Sequence, residues 1–272
     1  MDSDVLPAFV GHCYGGAMLI ILGTWYAFGM WRGYVVSRLR RRPYHGTAFF
    51  TLRGTRRTIC VDGLYKMAAG CFGTANYAWL GISNGHFTET SNAQHMSLFV
   101  FYGLSGILDV LTANKTPLPE GSDYAGLMMA FSVQALLFHF HLHGRSPMDI
   151  LVHTLLVYTT VVAAVCIGIE MAFRRSALAA LGRAFFTILQ GTWLVQIAFI
   201  LYSPWSGGHS WKDDHQDLML ATAVYTWHMA GIVVALSFVG ALTGLFMRGS
   251  PLHKWTGRRR DSSINLHDTG TE

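Results

Sequence analysis

Hydrophobic positions in this chain come in long unbroken runs separated by short polar stretches. A helix needs about 20 apolar residues to cross roughly 30 Å of hydrocarbon. Seven segments reach that length, at approximately 8–31, 59–81, 95–113, 124–143, 148–173, 180–202 and 217–247. Strands of a membrane barrel would be shorter and would alternate in polarity, so the pattern predicts helices. The expected fold is all-α, a polytopic membrane bundle of seven transmembrane helices over residues 1–247. Residues 248–272 form a tail expected to be disordered, and no second domain is visible.

Composition agrees with that pattern. Apolar residues make up 51% of the chain and charged residues 13%, against roughly 25% charged in ordinary globular domains. Charge then orients the bundle. The loop after the first span holds Arg32, Arg38, Arg40, Arg41, Arg42, Arg53, Arg56 and Arg57. Lys115, then Arg174, Arg175 and Arg183, and then Arg248, Lys254, Arg258, Arg259 and Arg260 fall on the same face. The positive-inside rule makes that face cytoplasmic. The N-terminus is therefore expected outside or in a lumen, and the C-terminus in the cytoplasm.

The net charge of +5 is read as topology and attraction to anionic lipid, with no nucleic-acid partner. No cleavable signal peptide is expected, because the first run is long and follows Asp2 and Asp4. The four cysteines lie within or at the edge of spans and give no disulfide framework. Asn114-Lys115-Thr116 is the one glycosylation sequon, and the topology assigns it to the cytoplasm.

Polar residues inside the spans carry the candidate chemistry. Asp62 and Lys66 are four apart on one helical face, and Asp109 lies near the same membrane face. The trio reads as a structural ion pair, with a proton or ion path as the alternative. Ten of the thirteen histidines fall on the non-cytoplasmic side. Among them His12, His95, His141, His153 and His228 come from five different helices, and convergence of that kind builds metal sites in bundles. His143 joins them at the junction of the fourth and fifth spans.

That junction reads His141-Leu142-His143-Gly144-Arg145-Ser146-Pro147-Met148-Asp149, followed by His153. Gly144 suits a helix stop, Ser146 a cap and Pro147 the first residue of the next helix. Asp149 fits a capping role at the helix start. It also lies one turn before His153, where a carboxylate fixes an imidazole's tautomer in a metal's surroundings or in a general base. Zinc or iron is the cofactor such a set would suit, although no tight ligand signature is present. Hydrogen bonding alone and proton handling are the other readings of the cluster.

Specific strings resemble the transmembrane protein 45 family, and within it the transmembrane epididymal proteins. They are Gly11-His12, the run from His95 to Asp109, His141-Leu142-His143-Gly144-Arg145 with Asp149 and His153, Leu189-Gln190-Gly191-Thr192-Trp193, Leu201-Tyr202 with Ser206-Gly207-Gly208, and Trp227-His228. The likeness spans nearly the whole bundle, while the basic first loop, the tail and His139 depart from it. It implies a multi-pass membrane protein, supplies no reaction, and suggests male reproductive tract expression for the epididymal members.

The functional expectation is a multi-pass integral membrane protein with a His-rich polar or metal site in the non-cytoplasmic half. The alternatives are a metal-dependent membrane hydrolase or oxidoreductase acting on lipid and a proton or ion transporter. Whether the chain is an enzyme stays open. The lipid bilayer is its expected partner, and a lipid its possible substrate.

Overall fold

The computed structural model describes residues 5–53, 58–83, 86–88, 90–142, 144–205 and 208–248. Seven helices form where the apolar runs predict them: α1 (Val5–Leu39), α2 (Val61–Leu80), α3 (Thr90–Ala113), α4 (Ser122–Phe140), α5 (Pro147–Ala172), α6 (Ala177–Leu201) and α7 (His215–Arg248). Several bounds differ from expectation, with α3 beginning at Thr90 and α1 and α6 also starting early. α1 continues past its apolar run to Leu39, and α4 stops at Phe140, because His141 and Leu142 turn toward the next helix. The predicted tail lies outside the described residues apart from Arg248.

Two short antiparallel hairpins were not expected from the sequence. β1 (Thr51–Arg53) pairs with β2 (Thr58–Cys60), and β3 (Ile82–Ser83) pairs with β4 (His86–Phe87). Strands of two or three residues are too short to show a period of two. The second hairpin joins α2 to α3, and the first leads directly into α2.

Five of the helices, α1, α3, α5, α6 and α7, are long and apolar enough to cross a membrane. α2 and α4 are shorter, and they carry Asp62 and Lys66, and Asp123 and Gln134, buried inside the bundle. Large apolar side chains such as Trp79, Leu178, Val234, Phe238 and Phe246 lie exposed on the outside. Apolar surface on that scale suits hydrocarbon rather than water.

α1 packs along α6 and α2 packs along α3, while α3, α4, α5 and α6 follow one another around the bundle. α7 lies against α1, α6 and α5. Glycine lets the two close pairs form, as small residues do where no hydrophobic force separates helix from lipid. A Cβ at Gly191 would lie 2.6 Å from the Gly16 carbonyl oxygen, and one at Gly70 would lie 2.7 Å from Cα of Gly103. Between the pairs sit two apolar cores. Tyr26, Leu127, Phe131 and Ile167 fill the arginine-rich half, and Val152, Leu156, Trp193 and Ile197 fill the histidine half.

Gly191→Val should lower stability by about 1–3 kcal/mol, the usual cost of overpacking. Gly231→Ala, where an added Cβ meets nothing within 4 Å, should leave stability unchanged or slightly raised. Thermal unfolding of the two variants in the same detergent checks both outcomes.

Candidate functional site

The α4–α5 junction takes the form that its residues dictate. Gly144 adopts a left-handed conformation with φ of 77°, which glycine enters without a Cβ penalty. The Ser146 hydroxyl caps α5 by accepting from the Asp149 backbone N–H at 3.4 Å, with Pro147 in the first turn. The Asp149 carboxylate is thereby left free for other partners. Its Oδ2 lies 2.7 Å from Nη1 of Arg145 and its Oδ1 lies 2.7 Å from Nδ1 of His153. The second contact is an ion-pair distance and not an aligned hydrogen bond. The His153 ring N–H is aligned instead with the Asp149 carbonyl, at 3.0 Å.

Arg145 fastens the junction together. Its Nε donates to the His141 carbonyl at 2.8 Å, Nη1 reaches the Tyr202 hydroxyl at 3.4 Å, and Nη2 donates to Nε2 of His141. Since an arginine can only donate, His141 Nε2 must accept. His141 therefore holds its proton on Nδ1, which donates to Oε1 of Gln94 at 2.8 Å. Burial works against the Arg145 charge, but its bonds and charge contacts with Asp149 and Tyr202 outweigh this and hold its pKa above the usual arginine value.

Around this junction four of the predicted histidines come together. Ring centroids are 5.9 Å apart for His12 and His153, 6.4 Å for His153 and His141, and 5.5 Å for His141 and His95. His95 also stacks on Tyr77 at 4.8 Å, and His12 lies 5.0 Å from Tyr202. His228 is not part of this row. It packs 5.8 Å from Trp193 and does not line the space that the other four share. His143 lies outside the described residues. His209, on the outer loop, pairs with Asp217 at 2.8 Å.

The row borders a cavity of about 600 Å³ that runs down the inside of the bundle. Its mouth is lined by His12, His95, His141, Arg145, His153 and Tyr202, its walls by residues such as Leu19, Ala69, Leu98, Phe99, Phe138 and Leu194, and its far end by Leu22, Tyr65, Lys66, Tyr102 and Gln134. A zinc or iron ion would need at least three side chains aimed at one point within bonding reach. Among the described residues no group of three His, Cys, Asp or Glu side chains is arranged that way. The histidines follow one another along the mouth, and Nε2 of His141 is taken by Arg145.

At the far end, Lys66 Nζ sits 2.7 Å from Asp109 and donates to Ser105 at 2.7 Å, with both charges almost fully buried. Asp62 does not share this pair, contrary to the expectation from its spacing. It accepts from the Phe50 backbone N–H at 2.7 Å and from the Trp25 indole. One turn nearer the helix start, it faces the incoming loop and α1, whereas Lys66 faces α3.

A second buried pair escaped the sequence reading. Arg183 was counted as a loop cation, yet it is fully buried, with Nε 2.8 Å from Glu170 Oε2. It also donates to the carbonyls of Ala48 and Thr47 at 2.7 and 2.9 Å, and lies 4.2 Å over the Tyr26 ring. The available signal was Glu170, a carboxylate with no local partner in the apolar last turns of α5. Gln94 and Tyr202 were missed as site residues too, because contacts between separate helices leave no local spacing, whereas Arg145 had a signal in its spacing of four from both His141 and Asp149.

Comparison with known proteins now places this architecture. Residues 121–240, covering α4 to most of α7, match a family of unknown function (DUF716). The chain is 27% identical over 198 residues to Transmembrane epididymal protein 1 of Homo sapiens, covering 68% of this chain and 71% of that protein. It is 28% identical over 247 residues to Transmembrane epididymal protein 1 of Rattus norvegicus, covering 85% of this chain and 79% of that protein. A third relative, Transmembrane epididymal protein 1A of Mus musculus, is 28% identical over 153 residues, 54% of this chain and 48% of that protein. The resemblance read from the motifs holds, and with the apolar helices it supports a multi-pass membrane protein.

Lys66→Met leaves Asp109 buried without its partner and should cost about 3–5 kcal/mol. Lys66→Met with Asp109→Leu should recover most of that loss, since a buried ion pair is no better than a packed apolar pair. Denaturant or thermal unfolding in detergent separates the two variants.

Proposed function

We propose that this chain is a seven-span membrane protein, N-terminus outside or lumenal and C-terminus cytoplasmic, that holds an amphipathic lipid inside its bundle. The lipid's polar head sits at the histidine mouth and its tail lies along the apolar shaft. One observation carries this reading: a single cavity joins a ring of imidazole, guanidinium and phenol groups to walls of leucine, alanine and phenylalanine. Its volume of about 600 Å³ falls among ordinary ligand sites. From Leu80 to Lys66, both of which line it, α2 rises roughly 21 Å at 1.5 Å per residue. That depth suits a long acyl or polycyclic tail.

The Asp149–His153 pair favours a second reading of the same site, a membrane enzyme acting on that lipid. A carboxylate that orients an imidazole beside a bound headgroup is the arrangement of a general base. A metal-dependent form of the enzyme would add an ion bound by histidines from different helices, and elemental analysis of tag-free protein decides it. Substoichiometric zinc, iron and copper would remove that form.

The seven-span topology draws support from the basic residues clustered at one end of the bundle. Glycosylation of Asn114 in cells would overturn that orientation. For the cavity, lipid extraction from purified protein should recover one dominant species at near-stoichiometric amount. Ala69→Trp, which fills the shaft, should reduce that amount about tenfold or more while the protein still elutes as a folded species. Equal lipid in both proteins would sink the reading.

A further inference from the structure

We propose that the histidine mouth is a hydrogen-bond acceptor site, so that the cavity takes neutral lipid alcohols in preference to anionic lipids. The inference rests on the lipid-cavity reading above and adds the chemistry of the head.

The proton positions follow from the partners. A carbonyl oxygen only accepts, so the ring nitrogens that face carbonyls must carry the hydrogens. His12 Nδ1 faces the Ala8 carbonyl at 2.8 Å, and His153 Nδ1 faces the Asp149 carbonyl at 3.0 Å with the carboxylate beside it at 2.7 Å. A neutral imidazole holds one proton, and here the Nδ1 position takes it. Nε2 of both rings is therefore a lone pair. Neither has a hydrogen-bond partner among the described residues, and both rings border the cavity. His153 is only 3% exposed, so bulk water is a poor substitute for a ligand there.

Among the described residues, Arg145 is the one guanidinium or ammonium group at the mouth, and it is already committed. Arg145 is paired with Asp149, donates to His141 at two atoms and reaches Tyr202. An anionic head would meet the two lone pairs and the Asp149 carboxylate, and beyond the single N–H of a neutral His95 ring it would have to break the Arg145–Asp149 pair to find a counterion. A hydroxyl meets no such barrier. It donates its proton to Nε2 of His153 or His12, and its oxygen can accept from the Tyr202 hydroxyl. That hydroxyl takes an N–H from Arg145 and keeps its own proton to give; its ring lies 5.0 Å from His12. Buried acceptors left unpaired carry a desolvation cost, which makes the discrimination strong.

The test uses the full-length protein in detergent at pH 8 and four probes, titrated by native mass spectrometry. Hexadecan-1-ol, 1-methoxyhexadecane and hexadecane-1-sulfonate share a tail and differ in the head, and cholesterol presents a hydroxyl on a rigid body. The alcohol is expected to bind about tenfold or more tighter than both the ether and the sulfonate, the difference of one hydrogen bond to a buried acceptor. Cholesterol tighter than hexadecanol supports the inference with a sterol as ligand. Cholesterol weaker than hexadecanol supports it with a chain alcohol. Ether or sulfonate binding as tightly as the alcohol overturns the inference while leaving a lipid cavity in place. Failure of all four probes to bind, together with equal co-purified lipid in wild type and Ala69→Trp, overturns the cavity reading itself. In His153→Phe, the gap between alcohol and ether should shrink if the variant keeps its melting temperature; the wild-type series decides the matter if it does not.

Discussion

The ion pair between Arg183 and Glu170 joins three parts of the chain through buried charge. Glu170 comes from the end of α5, Arg183 from the second turn of α6, and the carbonyls of Thr47 and Ala48 from the loop that follows α1. Tyr124 of α4 adds its hydroxyl to the same carboxylate at 2.9 Å. In a medium without water each of these groups would be costly alone. Together they seal the arginine-rich end of the bundle and hold the loop inward, so that Phe50 can donate to Asp62. Lys66 and Asp109 repeat the solution one layer deeper.

With that end closed by paired charge, the space inside the bundle opens toward the histidines. The α1–α2 seam is bridged by side chains: Tyr65 donates to the Met18 carbonyl at 3.0 Å, and Tyr14 lies 5.4 Å from Phe72. The glycines that closely meet another helix's backbone lie elsewhere, between α1 and α6 and between α2 and α3, whereas Gly11 in the α1–α2 seam meets only the Tyr77 side chain. Close packing of two helix pairs and looser packing between them is what leaves a shaft. The mouth is organised by the same economy as the floor, since Arg145, Asp149 and His141 satisfy one another, while among the described residues the Nε2 edges of His12 and His153, the His95 ring and the Tyr202 hydroxyl remain for a guest.

The sequence by itself determined the helices, because apolar runs of this length have few other stable states in lipid, and it determined the α4–α5 junction, because Gly144, Ser146 and Pro147 act within a few residues of themselves. It also singled out four histidines that do meet at one cavity. Spacing also put Asp149 beside His153, but tertiary structure alone decided the polar partners between helices. The Asp62–Lys66 spacing suggested one pair, but facing helices supplied better partners to each. Arg183 counted among the basic residues of the cytoplasmic face, and α5 and α6 enclose it. His228 looked like a member of the cluster until the packing of α7 turned it to Trp193. Helix formation is local and repeats along the chain, whereas pairing between helices depends on rotation and depth, which one-dimensional spacing does not encode.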